Sequence, residues 1–285
     1  MKVRVGLGIG ARSGVEDQAR FRLLVDELER LRFDSLWVSE RLRAPGPDPL
    51  VAMSVAAART DRLKFGAAVM VLPGRNPVVV AKQHASLDVL SGGRLLPAFG
   101  LGVADAAEHQ AFGVQRGDRA SIFDESLGLI RRLWTEDDVT HHGRWFHVEG
   151  VTVRPKPLGP LDVWLGGIAP SELRRVGRLA DGWLPSFVTP GDVEAGIAEV
   201  TRVAAEHDRA IDPEHFGVLL PYAPGGLDDA TLALLASRRP EADPRDVVAT
   251  SLDALPGMIG RFVDAGASKF VAYPVTPLGD VAAEL

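Results

Sequence analysis

The stretch Lys64-Phe65-Gly66-Ala67-Ala68-Val69-Met70-Val71-Leu72-Pro73-Gly74-Arg75-Asn76-Pro77 joins an apolar run directly to a helix start. No polar side chain interrupts Phe65 to Leu72, so residues 64–72 read as a strand buried on both faces, as in a parallel sheet covered by helices. Asn76 then supplies a helix N-cap, and Pro77 brings the pre-set φ favoured at the first helical position. The helix runs to about Leu90, Ser91-Gly92-Gly93 stops it, and residues 94–100 read as the next strand. One β-α-β unit is legible here.

The same alternation continues in both directions. Before it come a strand over 3–9, a helix over 17–31, a strand over 35–39 and a helix over 49–59. After it comes a helix over 118–134, capped by Asp118. Strands follow at 162–165, 182–184, 216–222 and 269–273, separated by helices at 170–180, 191–207, 228–236 and 253–265. Residues 139–153, with His141-His142-Gly143-Arg144-Trp145-Phe146, break the rhythm and read as a short hairpin insertion. Eight strand–helix units of about 36 residues predict an α/β fold, a (β/α)8 TIM barrel forming one domain over 1–285. A doubly wound open sheet is the alternative, although it seldom needs eight strands in strict alternation.

Composition narrows the partners. Hydrophobic residues are 46% and charged residues 25% of 285, a globular balance. The net charge of −6 provides no basic field for nucleic acid or an anionic membrane. Cysteine is absent, which removes disulfides, thiolate nucleophiles and cysteine-ligated metals together. The Gly-broken apolar start at 3–10 reads as a strand rather than a signal peptide, and no run reaches the length of a membrane span. A cytoplasmic protein is expected. Lysine occurs only at 2, 64, 82, 156 and 269, so arginine identity alone marks no phosphate clamp.

Barrel chemistry sits where strands end and helices begin. That rule nominates Ser39, Glu40 and Arg41 after strand two, Gly100 and Gly102 after strand four, and Gly166-Gly167-Ile168-Ala169 after strand five. Phe187, Tyr222 and Tyr273 stand at later strand ends. Gly166 to Ala169 run into a helix start, where amides and the dipole favour an anion, unless the glycines simply make a tight turn. Glu40 and Arg41 follow a buried run, as a functional pair or as a structural one. His141, His142 and His147 lack a completing carboxylate or cysteine, so no metal site is expected. His84 suits packing or surface, and His109 either the cavity or a surface helix.

The chain resembles the luciferase-like monooxygenase superfamily, in its branch of oxidoreductases that use the deazaflavin coenzyme F420. The resemblance rests on Phe33-Asp34-Ser35-Leu36-Trp37-Val38-Ser39-Glu40, Val69-Met70-Val71-Leu72-Pro73, Ser91-Gly92-Gly93-Arg94 and Glu108 with Ala111-Phe112-Gly113-Val114. Arg154-Pro155-Lys156-Pro157, Trp164-Leu165-Gly166-Gly167 and Ala180-Asp181-Gly182-Trp183 extend it over nearly the whole chain. It implies a cofactor ring in the barrel mouth, its phosphate toward the loop after strand five, and often a homodimer. It further implies a bulge in strand three, with a non-proline cis peptide at Ala68–Val69 supporting the ring. Glu40 matches the acidic residue that contacts the deazaflavin. The next position is His in the sugar-phosphate dehydrogenase branch and Arg41 here; the Glu that branch carries after strand four falls near Val103. Both differences argue against that sugar-phosphate activity and leave the acid/base pair unassigned.

The expectation is therefore hydride transfer between F420 and a small organic substrate, with Glu40 and Arg41 as catalytic candidates. Ser39, Glu40, Ala68, Val69, Gly100, Gly102 and Gly166 to Ala169 would hold the cofactor. An FMN-dependent monooxygenase, or a flavin-binding barrel without turnover, are the alternatives.

Overall fold

The computed structural model describes residues 2–223 and 226–285. β1 (Arg4–Ile9) leads to α1 (Gln18–Arg30), and β2 (Ser35–Val38) to α2 (Pro49–Arg59). The third barrel position is split into β3 (Lys64–Ala67) and β4 (Met70–Val71) and leads to α3 (Pro77–Ser91). The fourth is split into β5 (Leu95–Leu96) and β6 (Ala98–Gly100), and α4 (Ala106–Ala111) and α5 (Arg119–Thr135) follow. The antiparallel hairpin of β7 (Val139–His142) and β8 (His147–Val151) comes next, where an insertion is expected. β9 (Trp164–Leu165) then leads to α6 (Pro170–Leu179), and β10 (Gly182–Trp183) to α7 (Pro190–Ala205). β11 (Gly217–Tyr222) precedes α8 (Asp229–Arg238), α9 (Pro244–Val247) and α10 (Leu255–Asp264). β12 (Lys269–Pro274) and α11 (Val281–Glu284) complete the order.

The parallel strands close a ring, as expected for a TIM barrel. β12 pairs with β1, β1 with β2, and β2 with β3. β3 pairs with β5 and β4 with β6, so both halves of position three face both halves of position four. β6 pairs with β9 and β9 with β10. Parallel bridges Trp183–Phe216 and Ser186–Leu219 carry the ring to the β11 position, and β11 pairs with β12.

Three local expectations need correction. Strand three is not continuous over 64–72: its ladder breaks at Ala68–Val69, where the peptide is cis as the resemblance implies. Strand four is interrupted at Pro97, which has no N–H for a ladder. Asp118 precedes α5 but its side chain makes no capping bond; it lies 3.8 Å from Arg144 instead. Asn76 caps α3 as expected, accepting from the Val78 and Val79 amides at 2.9 and 3.2 Å. The short α4 was not anticipated; Asp105 starts it by accepting from Ala107 and Glu108.

Inside the ring, Trp37, Ala98, Trp164, Leu184 and Val271 form a buried plug. Below it, Lys269 Nζ lies 5.7 and 5.8 Å from the Trp37 and Trp164 rings and 2.6 Å from Asp34. Burial opposes ionisation of Asp34, but Lys269 beside it holds the carboxyl below its ordinary value. A larger apolar layer between strands and helices surrounds the ring and includes Tyr222, Phe99 and Phe270.

Candidate active site

The C-terminal strand ends enclose a cavity of about 450 Å³. Its floor and walls are apolar at Val69, Phe99, Leu165, Leu184 and Leu219. Arg12, Arg41, Arg175 and Arg238 reach it, together with Glu40 and Glu172. Both the size and the pairing of an apolar floor with a few polar groups suit a small-molecule site.

Of the residues nominated from sequence, Ser39, Glu40, Arg41, Ala68, Val69, Gly100, Gly102, Gly166 and Gly167 line this cavity. Ile168 and Ala169 do not. Ser39 Oγ donates to the Ala68 carbonyl at 3.1 Å and lies 3.4 Å from the Tyr273 hydroxyl, which joins two hydroxyls across the barrel mouth. Phe187 and Tyr273 also line the cavity, whereas Tyr222 does not: it is 1% exposed in the apolar layer outside the ring.

Glu40 is buried, and both its oxygens are engaged. One accepts the Val71 amide at 2.6 Å and the other the Arg75 guanidinium, so the carboxylate ties β2 to β4 and the loop after it. Burial pushes its carboxyl up, against the pull of the Val71 amide and Arg75. Arg41 Nε donates to Glu108 Oε1 at 2.8 Å, with the Glu108 side chain 3% and that of Arg41 36% exposed. Its two terminal amino groups have no hydrogen-bond partner among the described residues. Glu108 went unmarked in the sequence as a site residue because α4, which presents it, carries no long periodic pattern.

The glycines after strand four have a packing reason. A Cβ on Gly100 would stand 2.3 Å from Val69 Cγ2, so the missing side chain lets strand four approach the break in strand three. The start of α6 differs from the expected open anion cradle. The Ile168 and Ala169 amides both donate to Glu172 Oε2 at 3.0 Å, because Glu172, three residues beyond the N-cap, bends back over the helix start.

The histidines lie elsewhere. His84 is buried against Phe99 and Trp134, with ring centres 5.1 and 6.3 Å apart. His109 Nε2 lies 2.8 Å from the Val103 carbonyl and outside the cavity lining. His141 contacts Glu125, which also accepts the amides of Arg144, Trp145 and Phe146 and so docks the hairpin on α5. Among the described residues no group of three or more His, Asp or Glu is placed to hold a metal. No described helix is long and apolar enough to cross a membrane.

A family model described as luciferase-like monooxygenase matches residues 2–245. An uncharacterised protein of Mycobacterium tuberculosis is 34% identical over 165 residues, 57% of this chain and 56% of that relative. An F420-dependent glucose-6-phosphate dehydrogenase of Intrasporangium calvum is 30% identical over 217 residues, 67% of this chain and 64% of the relative. The chain thus matches between half and two thirds of these relatives' lengths. In structure, it resembles an F420-dependent secondary alcohol dehydrogenase solved with an F420–acetone adduct. The TM-score is 0.83 at 19% identity, covering 99% of this chain and 97% of the other, a likeness of fold.

Proposed function

The chain belongs to the luciferase-like monooxygenase family, and from that premise we propose that it is an F420-dependent oxidoreductase moving a hydride between the deazaflavin and a small organic substrate. The cavity carries this reading: it sets an apolar floor around Ala68 and Val69 beside guanidinium groups, as a flat ring with an anionic tail requires. The family relationship to F420-dependent enzymes supports the choice of cofactor. The donor set fits such a group. Apolar side chains receive a ring, and arginines receive phosphate or carboxylate.

When bound, a deazaflavin supplies two-electron hydride chemistry, and the protein's part is orientation and electrostatics. Glu40, pinned by the Val71 amide and Arg75, holds the cavity wall in place and carries a buried negative charge beside it. Arg41 presents a guanidinium held by Glu108, a positive charge fixed at the cavity edge rather than a base. The Ser39, Ser186 and Tyr273 hydroxyls are neutral groups lining the cavity that can hydrogen-bond a substrate oxygen, and the first and last lie within 3.4 Å of each other.

The test is an absorbance and fluorescence titration of purified apoprotein with F420 and, separately, with FMN. Binding of F420 in preference to FMN is expected. Preference for FMN reverses the assignment toward an oxygen-activating monooxygenase, to be followed by oxygen uptake, and binding of neither removes the proposed site. With turnover in hand, Arg41→Ala is expected to lower kcat by far more than the modest fall in melting temperature from losing the Glu108 bond accounts for; full activity would make Arg41 structural.

A further inference from the structure

A helix start at a strand's C-terminal end is where a parallel barrel ordinarily offers amides to an anion. At α6 those amides are mostly spent, and only that of Ser171 has no acceptor among the described residues. Pro170 has no N–H, Ile168 and Ala169 donate to Glu172 Oε2, and the Glu172 and Leu173 amides donate to the Ala169 carbonyl at 2.8 and 3.0 Å. Gly167 is matched to this closure: at φ +96° it leaves room where a Cβ would stand 2.6 Å from the Glu172 carboxyl carbon. An arriving phosphate meets a carboxylate there and one open amide in place of a full cradle of donors, and like charges at that distance repel.

One turn beyond Glu172, Arg175 lines the same cavity with its side chain only 12% exposed. It donates through Nε alone, to Asp124 Oδ1 at 2.6 Å, and its guanidinium carbon lies 5.8 Å from the Phe123 ring centre. The two terminal amino groups have no hydrogen-bond partner among the described residues. Asp124 is itself shared, because Arg178 donates to its other oxygen at 2.8 Å. Two guanidinium groups on one carboxylate leave a net positive charge, and the ring stacking and the Nε bond fix the plane of the Arg175 fork. A pre-oriented, partly desolvated fork with two free donors is what a phosphate ester takes up.

We propose that Arg175, oriented by Asp124, is the anchor for a phosphate mono- or diester on the cavity's ligand, while Glu172 keeps the start of α6 closed to it. This rests on the reading of the cavity as a cofactor site. The experiment therefore uses two pairs of probes: F420 with the same deazaflavin lacking its phosphate and tail, and FMN with riboflavin. The ratio of dissociation constants separates the phosphate from the ring in the FMN pair and the phosphate with its tail from the ring in the F420 pair, and its dependence on Arg175 assigns the phosphate share.

For the pair whose ring binds, the intact protein is expected to prefer the phosphorylated member. Arg175→Gln should lower that preference by about tenfold or more, leaving the phosphate-free probe within about twofold. Arg178→Gln breaks the other half of the Asp124 bridge without touching the cavity lining and should leave the preference intact. Glu172→Gln should not weaken the phosphorylated probe. The anchor is overturned if Arg175→Gln keeps the full preference, or if Arg178→Gln loses as much as Arg175→Gln. A loss of phosphate preference confined to Glu172→Gln overturns it too. Should Arg175→Gln fail to fold, Arg175→Lys carries the test, with partial loss of preference expected and none refuting. If neither ring binds, the cofactor reading and the anchor fall together; if a ring binds without phosphate preference, only the anchor falls.

Discussion

His84 gives a prediction whose magnitude follows from the structure. It sits in α3, 1% exposed, with Nδ1 3.0 Å from the Val80 carbonyl, so in the neutral ring Nδ1 carries the hydrogen. Burial, opposed by the Val80 contact and aided by the positive charge of Arg75, lowers its pKa from 6.5 to about 4. Above pH 6.5 the ring is neutral both folded and unfolded and contributes nothing to the pH dependence. As pH falls below 6.5 the unfolded chain takes up a proton that the native ring refuses until about pH 4, so stability declines across that window. At pH 5 the loss is about 2 kcal/mol, approaching about 3 kcal/mol in full below pH 4. With an unfolding entropy of about 0.6 kcal/mol per kelvin for 285 residues, 2 kcal/mol corresponds to a fall of about 3 °C in Tm. The assay is a set of urea and thermal melts at pH 7.5, 6 and 5 on the natural protein and on His84→Leu. The Val80 carbonyl keeps its place in the helix ladder, so the leucine leaves no orphan there. The natural protein should lose about 2 kcal/mol more than the variant between pH 7.5 and 5, with the shifted carboxyls cancelling in the comparison. Equal losses in the two proteins would refute the assignment of a buried, neutral His84.

Three further outcomes test other parts of the site. Gly100→Ala places a methyl 2.3 Å from Val69 Cγ2 and should cost about 1–3 kcal/mol in a denaturant melt. Adding Val69→Ala should recover part of that loss, and no recovery would place the strain elsewhere. Glu108→Gln removes the carboxylate that fixes Arg41; with Arg41 one-third exposed, the expected loss is about 1–2 kcal/mol. Arg41→Ala should then cost less in that background than alone, whereas strict additivity in the double-mutant cycle would show the pair uncoupled. Glu125→Ala removes the acceptor of the Arg144, Trp145 and Phe146 amides, so hydrogen exchange at those three should accelerate at least about tenfold; unchanged exchange would show the hairpin held by other contacts.

The barrel was legible because its signals are local. The apolar run at 64–72, the Asn76-Pro77 helix start and the Ser91-Gly92-Gly93 stop each act within a few residues, and the structure places α3 at Pro77–Ser91 between them. Repeated eight times, such signals leave few architectures. Strand-end position was enough to bring Ser39, Glu40, Arg41, Gly100, Gly102, Gly166 and Gly167 to one cavity, since barrel geometry gathers C-terminal strand ends on one face, while Ala68 and Val69 were nominated through the family resemblance.

What stayed hidden depends on partners far apart in the chain. Glu108 meets Arg41 across 67 residues and Arg175 meets Asp124 across 51, and neither spacing is periodic. Gly100 reads equally as an opening for ligand or for a neighbouring strand, and Val69 decides between them only once positions three and four are side by side. The sequence alone determined the alternation of strands and helices, the parallel barrel and the strand ends that form its mouth, because hydrophobic period and helix caps are written within single turns. The tertiary structure decided which arginines stand free, which are tied to carboxylates, and that Glu172 covers the helix start offered to an anion. Those outcomes turn on ångström-scale competition among charged groups that only the closed barrel brings into contact.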